Sequence, residues 1–241
     1  MNKNDIRYQA YIDILKEELI PAMGCTEPIA LAYAAATARE LLGCMPERVE
    51  IGASGSIIKN VKSVIVPNTG HLKGIPAAAA AGIVAGDANK QLEVISHVTL
   101  DQEAQIRAFL EQVPIEVEHV DNQIIFDIIV TLYHGNDSSM VRIANYHTNI
   151  VHKEKNGEIL LDLPIEEEKE ENLTDRTLLS MEGIWDFINT VDVSEIQEVL
   201  NRQADFNMKI AQEGINGNYG ANIGKVLLDS CGPDVQTRAK A

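Results

Sequence analysis

The sequence predicts an α+β protein in which a helical core is interrupted by a small sheet-containing module. Two observations support this fold class. Helical spacing and alanine-rich runs dominate residues 1–90 and helical spacing returns after residue 165, whereas 91–164 is rich in short β-type runs. We therefore expect a discontinuous helical core, formed by 1–90 and 165–241, and an inserted α+β module with an antiparallel sheet at 91–164.

The first two predicted helices lie on either side of a proline. An apolar stripe at helical spacing over 5–19 predicts the first helix, which Pro21 ends. The stretch "TEPIALAYAAATA" predicts the second, with Thr26 as its N-cap and Gly43 just after its end. Its many alanines permit close backbone packing, so we expect this helix to be buried.

A short strand and a glycine-rich loop follow. Val49–Ser54 is typical of a strand, and "VPNTGHLKGIPAAAAAG" contains a loop that leads into a second alanine-rich helix. Pro76 lies near the first turn of that helix and Gly86 near its end. Such a loop presents backbone N–H groups beside a helix N-terminus, which favours a bound carboxylate or phosphate.

The middle of the chain predicts the strands of the module. Four stretches have β-type composition: "LEVISHVTL", "IEVEHV", "IIFDIIVTLYH" and "MVRIANYHTNIVHK". An amphipathic helix is predicted between them at Asp101–Gln112, and Asn156-Gly157 is a typical hairpin turn.

The last segment predicts an acidic connector and further helices. Glu166–Asn172 has the composition of a solvated linker. Helices are predicted at Thr177–Thr190 and Ser194–Glu213, the second with a capping box from Ser194 to Gln197 and with Gly214 after its end. A short helix ends at Cys231, and Gln236–Ala241 has neither a cap nor an apolar face.

Composition excludes several classes of partner. The chain has 36 acidic and 20 basic residues, a formal net charge of −16, which repels phosphate backbones and anionic lipid headgroups. The N-terminus is polar, and the apolar runs are too short to cross a bilayer. Three cysteines without an export signal argue against a disulfide framework. We expect a cytoplasmic protein that binds neither nucleic acid nor membranes.

Cys25 is the first candidate for chemistry. It lies at the predicted start of the second helix, where the positive end of the helix dipole favours a thiolate. A cysteine so placed suits a role as nucleophile, base or metal ligand. Cys44 and Cys231 have no such surroundings, and we expect both to be inert.

The second candidate is an anion-binding loop formed by Asn68, Thr69 and Gly70. A nearby cation, Lys59 or Lys73, and the amide of Asn60 support that interpretation. The alternative, a tight turn without a ligand, stays open because asparagine and glycine are common turn residues.

The third candidate is a polar cluster at a strand edge or loop, formed by His147, Thr148 and Asn149. The alternative is that they are solvent-facing strand residues. A metal site shared by His147 and His152 is not expected, because a separation of five residues on an extended strand places the two imidazoles on opposite faces.

Five stretches of the sequence resemble a known family. "PAMGCTEPIALAYAAA", "SIIKN", "VPNTGHLKGIPAAAAAG", "HTNIVH" and "EGINGNYGANIGK" are similar to the signatures of the L-cysteine desulfidase family (UPF0597-like sequences), relatives of the α chain of iron–sulfur L-serine dehydratases. The matches run in order from about Tyr11 to Lys225. The resemblance implies a serine-dehydratase-α-like helical core.

The resemblance also implies an activity in amino-acid catabolism. Members of the family perform β-elimination with a [4Fe-4S] cluster, converting L-cysteine to sulfide, pyruvate and ammonia, or L-serine to pyruvate and ammonia. Cys25 matches the motif cysteine, expected to be a cluster ligand or a catalytic thiolate. The other matching residues are expected to bind substrate: Asn68, Thr69, Gly70, Lys59, Asn60, His147, Thr148 and Asn149.

The family's members continue into a second half that supplies further cluster cysteines. The resemblance therefore implies that this chain corresponds to an N-terminal portion, that it is inactive alone, and that its partner is the missing C-terminal half. The cluster is expected in the full-length protein and not in this chain. A homo-oligomer stays open, because the alanine-rich helices are also suited to packing against another copy.

Two other functions remain compatible with the sequence. One is a non-catalytic module that binds or senses a small amino acid through the 91–164 sheet. The other is a zinc hydrolase that uses Cys25 together with histidines.

Overall fold

A computed structural model describes residues 1–22, 24–165 and 174–231. The helices are α1 (Ile6–Glu18), α2 (Thr26–Leu42), α3 (Gly55–Val61), α4 (Gly74–Ala85), α5 (Leu100–Gln112), α6 (Met181–Thr190), α7 (Val193–Asn216) and α8 (Ile223–Cys231). The strands are β1 (Arg48–Ala53), β2 (Ile115–His119), β3 (Asp127–His134), β4 (Asp137–Ala144), β5 (Ile150–Lys155) and β6 (Glu158–Asp162). This mixture of helices with one six-stranded sheet confirms the α+β prediction.

The chain divides into two compact units. The helical unit comprises Met1–Pro21 and Glu170–Ala241, and the sheet unit comprises Ala22–Lys169. These boundaries differ from the predicted ones at residues 90 and 165, because β1 lies between β2 and β3 in the same sheet. No helix in the described part of the chain has the length and apolar character needed to cross a lipid bilayer.

The sheet is mixed, with the strand order β2-β1-β3-β4-β5-β6. The prediction of an antiparallel sheet is correct for four of the strand pairs and wrong for β1 and β2, which are parallel. A parallel pair needs a long crossover connection, and here α3, α4 and α5 supply it. The β5–β6 hairpin turns at Asn156 and Gly157, both with positive φ, as predicted.

The predicted strand in "LEVISHVTL" is wrong. Residues 88–93 form a 3₁₀ segment, and turns follow up to the start of α5. Val94 and Ile95 are buried in the main core, so their apolar character reflects burial and not strand pairing. Thr99 forms a capping box with Gln102 and begins α5 there, so the predicted strand is replaced by a 3₁₀ segment, turns and the start of a helix.

The two alanine-rich helices α2 and α4 pack closely, as their composition predicts. Both lie in the main core with strands β1, β3 and β4. Gly82 of α4 lies so near the Ala32 carbonyl that a β-carbon at this position would overlap it. The left-handed Gly43 ends α2, as predicted.

The helical unit has a small core of its own. Tyr8 and Tyr11 of α1 pack edge-on against Phe187 of α6, and Ile196 and Val199 of α7 complete the cluster. The carboxylate of Glu17 accepts hydrogen bonds from Thr174 and Arg176, which joins the end of α1 to the segment before α6.

Three predictions about the later helices are corrected. Asp192, not Ser194, caps α7, because its carboxylate accepts a hydrogen bond from the Ser194 backbone N–H. Gly214 lies inside α7, and Gly217 follows its end. The predicted helix from Thr177 begins at Met181, after a 3₁₀ turn. The predicted connector Glu166–Asn172 and the tail Gln236–Ala241 lie outside the described residues.

Candidate functional site

The candidate site is built at the N-terminus of α2, in the sheet unit. Cys25 is the N-cap residue and Thr26 is the first helical residue, so the prediction that Thr26 caps the helix is wrong. The Thr26 hydroxyl is instead 2.8 Å from Nε2 of His147, in the loop between β4 and β5. This hydrogen bond joins the first predicted motif to the third.

Glu27 connects the remaining members of the site. The thiol of Cys25 donates to Oε2 of Glu27 across 3.1 Å. Nδ2 of Asn60, on α3, donates to Oε1 of the same carboxylate across 3.2 Å. Glu27 therefore receives one donor on each oxygen, from two different elements. Glu27 lies in the first turn of α2, where an acidic residue is common, so its residue type alone does not indicate this role.

The expectation that the helix start favours a thiolate at Cys25 is wrong. Desolvation of the sulfur raises the pKa of Cys25 above its ordinary value of 9.0, and the hydrogen bond to the negative Glu27 raises it further. At neutral pH the residue is therefore a thiol. Its sulfur remains exposed and is not enclosed in packed hydrocarbon.

Glu27 is ionised and His147 is uncharged at neutral pH, because the pKa values of both groups are lowered. Burial raises the pKa of Glu27, but the hydrogen bonds from the Cys25 thiol, the backbone and Asn60 outweigh this effect and lower the pKa below its ordinary value. Burial lowers the pKa of His147, and the charge of Glu27 opposes that shift only in part. At neutral pH the site holds a carboxylate, a neutral imidazole and a thiol.

A buried ion pair supports the position of His147. The His147 ring packs edge-on against Phe126 at 4.6 Å between ring centroids. Phe126 directly precedes Asp127, whose fully buried carboxylate accepts two hydrogen bonds from Arg142 and a third from Asn122. The bidentate pair fixes the end of the loop that carries Phe126. Neither Asp127 nor Arg142 lies in a local sequence pattern that predicts this role.

An open cleft lies next to this support. It has a volume of about 890 Å³ and is lined by two connecting loops of the sheet, including Asn122, Ile125, Phe126, Asn145 and Tyr146. Because Phe126 contacts both the cleft and His147, the candidate site borders a space of the size that small-molecule sites have.

The Asn68 loop begins beside the Cys25 segment. A β-carbon on Gly24 would lie 3.9 Å from Cγ of Pro67, so the two predicted motifs are neighbours. The side chains of Asn68 and Thr69 are used within the loop, because they donate to the backbone carbonyls of Ile95 and Val66. These two side chains anchor the loop, in contrast to the direct substrate contacts that the resemblance implies.

The backbone of this loop keeps its capacity to bind an anion. Residues 67 and 68 form a hydrogen-bonded turn, and among the described residues no hydrogen bond is donated by the backbone N–H groups of Asn68 and Gly70. Gly70 has a φ of 61°, and its carbonyl accepts a hydrogen bond from Arg107 of α5 at 2.5 Å. A side chain on Gly70 would meet the ends of Arg107 and Glu103.

Three predicted residues do not join the cluster around Glu27. The side chain of Lys59 is exposed and makes no hydrogen bond or ion pair with another described residue. Asn149 donates to the backbone carbonyl of Ala144, and Thr148 is half-buried beside it. His152 interacts with Glu154 and Asp162, in different surroundings from His147.

The comparisons with known proteins reveal close relatives. The chain is 52% identical over its 241 residues to a UPF0597 protein of Desulfitobacterium hafniense, and 45% identical over 234 residues to one of Lachnoclostridium phytofermentans. It is a relative of the UPF0597 proteins. A third UPF0597 protein, from Treponema denticola, is 40% identical over 229 residues. No family model and no solved structure matches the chain.

The UPF0597 relatives are longer than this chain. The chain spans 56% of the Desulfitobacterium and Lachnoclostridium proteins and 53% of the Treponema protein. The relationship therefore supports the UPF0597 part of the resemblance over the matched region.

The described residues do not fit a complete iron–sulfur cluster. A [4Fe-4S] cluster is commonly held by four cysteine thiolates, and only Cys25 lies at this site. Cys44 follows the far end of the 17-residue α2, about 25 Å along the helix, and Cys231 is in the helical unit. No group of three metal-binding side chains exists among the described residues, so the zinc hydrolase alternative also lacks a ligand set.

Proposed function

We propose that this chain carries the acid–base groups of a lyase that performs β-elimination on a small amino acid, L-cysteine or L-serine. The observation that carries the proposal is the Cys25 thiol hydrogen-bonded to the Glu27 carboxylate, with a neutral imidazole one residue away through Thr26. The similarity of the motifs to the desulfidase family supports the choice of reaction.

A β-elimination needs a base for the α-proton and a donor for the leaving group. The ionised Glu27 and the neutral His147 are the available bases, and the Cys25 thiol is the available donor. The Cα–H electron pair forms the Cα=Cβ bond while the Cβ–S or Cβ–O bond breaks with its electrons. The α-proton passes to the base, and the departing sulfide or hydroxide takes a proton. Hydrolysis of the aminoacrylate then gives pyruvate and ammonia.

We assign the two ends of the substrate to two parts of the site. The N–H groups of Asn68 and Gly70 suit the substrate carboxylate, and the Glu27 carboxylate suits its ammonium group, which leaves His147 as the base for the α-proton. An ammonium beside Glu27 offsets the negative charge that raises the pKa of Cys25. Substrate binding thereby makes the Cys25 thiol a stronger proton donor. Since the described residues do not fit a complete cluster, no step of this scheme uses one.

The test measures sulfide and pyruvate release from L-cysteine, and pyruvate release from L-serine. The chain is assayed alone and after co-expression with the part of the Desulfitobacterium protein that it does not match, each after anaerobic incubation with iron and sulfide. We expect turnover in the co-expressed sample, with a loss of about 100-fold or more in Cys25→Ala and Glu27→Gln.

Cys44→Ala is the matched control, because it removes a thiol from the other end of the same helix. We expect it to keep full activity. Undiminished turnover in Cys25→Ala would refute the role of Cys25, and the absence of turnover with either amino acid in both samples would refute the lyase.

The cleft lined by two connecting loops of the sheet favours a second candidate, a non-catalytic module that binds a small amino acid. Calorimetric titration of the chain with L-cysteine and L-serine separates the two. Saturable binding without turnover in any sample supports the binding module, and turnover in the co-expressed sample excludes it.

A further inference from the structure

Helix α6 has an apolar side that the described part of the helical unit does not cover. Four residues recur at helical spacing on this side, and all are exposed: Met181, Ile184, Trp185 and Ile188. The core of the unit is contacted by another side of the helix, through Phe187. The helix therefore has two apolar sides, of which one packs in the core and the other is exposed to solvent.

Helix α7 has a second exposed apolar stretch. It has 24 residues, about 36 Å, whereas its partner α1 has 13 residues, about 20 Å. The apolar stripe that α7 packs into the core at Val199 continues seven and eleven residues later, at Phe206 and Ile210. Both of these side chains are exposed, Ile210 to 68%. The stripe thus extends beyond the helix that covers its first half.

We propose that these two exposed stretches, the exposed residues of α6 together with Phe206 and Ile210 of α7, bind the polypeptide that forms the rest of the UPF0597 relatives. We call the two stretches together the α6–α7 face. The Desulfitobacterium protein is matched over 56% of its length, so the remaining 44% has no counterpart in this chain. Large exposed apolar surfaces are typical of interaction sites. The relatives thus contain, in the same molecule, a polypeptide available to cover this face.

A second copy of this chain is the less suitable occupant. Each copy carries a net charge of −16, so two copies repel one another. Trp185 is the only tryptophan of the chain and lies in the α6–α7 face, 68% exposed. Its fluorescence therefore reports self-association directly. We expect an emission maximum typical of exposed tryptophan that does not change with protein concentration. A shift to shorter wavelength on concentration would assign the face to a second copy and overturn the proposal.

The main experiment co-expresses the tagged 241-residue chain with the unmatched 44% of the Desulfitobacterium protein and measures its recovery on the tag. We expect stoichiometric recovery with the unaltered chain. Met181→Asp and Ile210→Asp each place a charge in the face, and we expect each to lower recovery about tenfold or more.

Leu100→Asp is the matched control. Leu100 and Met181 are each the first residue of a helix, and each is 83% exposed, but Leu100 lies in the sheet unit. Recovery with Leu100→Asp should equal that of the unaltered chain. Equal losses with Leu100→Asp and Met181→Asp, or no recovery with the unaltered chain, would overturn the proposal.

A joined chain, in which the two polypeptides are fused, tests the proposal without requiring two separate chains to associate. The 241 residues and the unmatched part are linked by a flexible segment, and melting temperatures are compared. We expect Met181→Asp to lower the melting temperature of the joined chain by about 5 °C or more and to leave that of the 241-residue chain nearly unchanged. Equal effects in the two proteins would overturn the proposal. Both results are independent of lyase activity, so this proposal and the proposed function fail separately.

Discussion

The sulfur of Cys25 lies 3.1 Å from Oε2 of Glu27, at the first turn of α2. This contact places a thiol and a carboxylate in one hydrogen bond, and the carboxylate is the ionised member. The positive helix end is thus occupied by Glu27, whose charge suppresses ionisation of the neighbouring thiol.

The first prediction concerns the reactivity of Cys25. Glu27→Gln removes the negative charge beside the thiol, so the pKa of Cys25 should fall and alkylation by iodoacetamide at pH 8 should become faster. The rate is followed for each cysteine by mass spectrometry across a pH series. Glu47→Gln, an exposed carboxylate away from Cys25, is the control and should leave the rate unchanged. A slower reaction in Glu27→Gln would contradict the assignment.

The second prediction concerns the titration of His147. Because burial lowers its pKa below the ordinary 6.5, the unfolded chain binds this proton more readily than the folded chain. The contribution of His147 to stability should therefore be lost as pH falls below about 6.5. We expect the folded protein to lose stability between pH 7 and pH 5 more steeply than His147→Gln, measured by denaturant unfolding. Parallel pH profiles for the two proteins would show that His147 titrates normally.

The third prediction concerns the packing of α2 on α4. Gly82→Ala places a methyl group against the Ala32 backbone carbonyl, so one helix must move, and we expect a loss of about 3 kcal/mol in the free energy of unfolding. Gly214→Ala is the matched control, since Gly214 is also inside a helix but has nothing within 4 Å. It should be neutral or stabilise by up to about 1 kcal/mol. A similar effect of the two substitutions would contradict the close packing.

The fourth prediction concerns the buried pair of Asp127 and Arg142. Arg142→Met leaves a fully buried carboxylate without its cation, and we expect a loss of about 3 to 5 kcal/mol. Arg48→Met breaks the partly exposed pair with Glu50, and we expect a loss below about 1 kcal/mol. Both are measured by denaturant unfolding. A loss as small in Arg142→Met as in Arg48→Met would argue against a structural role for the buried pair.

Arg142→Met also tests the support of the site. Because Asp127 follows Phe126, whose ring packs on His147, we expect the His147 resonances to broaden or shift in this variant. In Arg48→Met they should remain as in the unaltered protein.

Local pattern predicted many of the secondary elements. The alanine-rich composition predicted two buried helices, Gly43 predicted the end of α2, and Asn156-Gly157 predicted a hairpin, because each depends on a few neighbouring residues. The strand predicted near Val94 failed because a short apolar run indicates burial without specifying its partner. The parallel pairing of β1 with β2 depends on residues more than sixty positions apart, and no local signal encodes it.

The candidate site shows the same division. The sequence by itself predicted Cys25, Asn60 and His147 as candidate site residues, from residue type, local spacing and the family resemblance. Only the tertiary structure decided that Glu27 links Cys25 to Asn60 and that Thr26 holds His147. It also decided that the pKa of Cys25 is raised, because a pKa depends on the burial of a group and on the charges around it, and the sequence shows neither the burial of the sulfur nor its contact with Glu27.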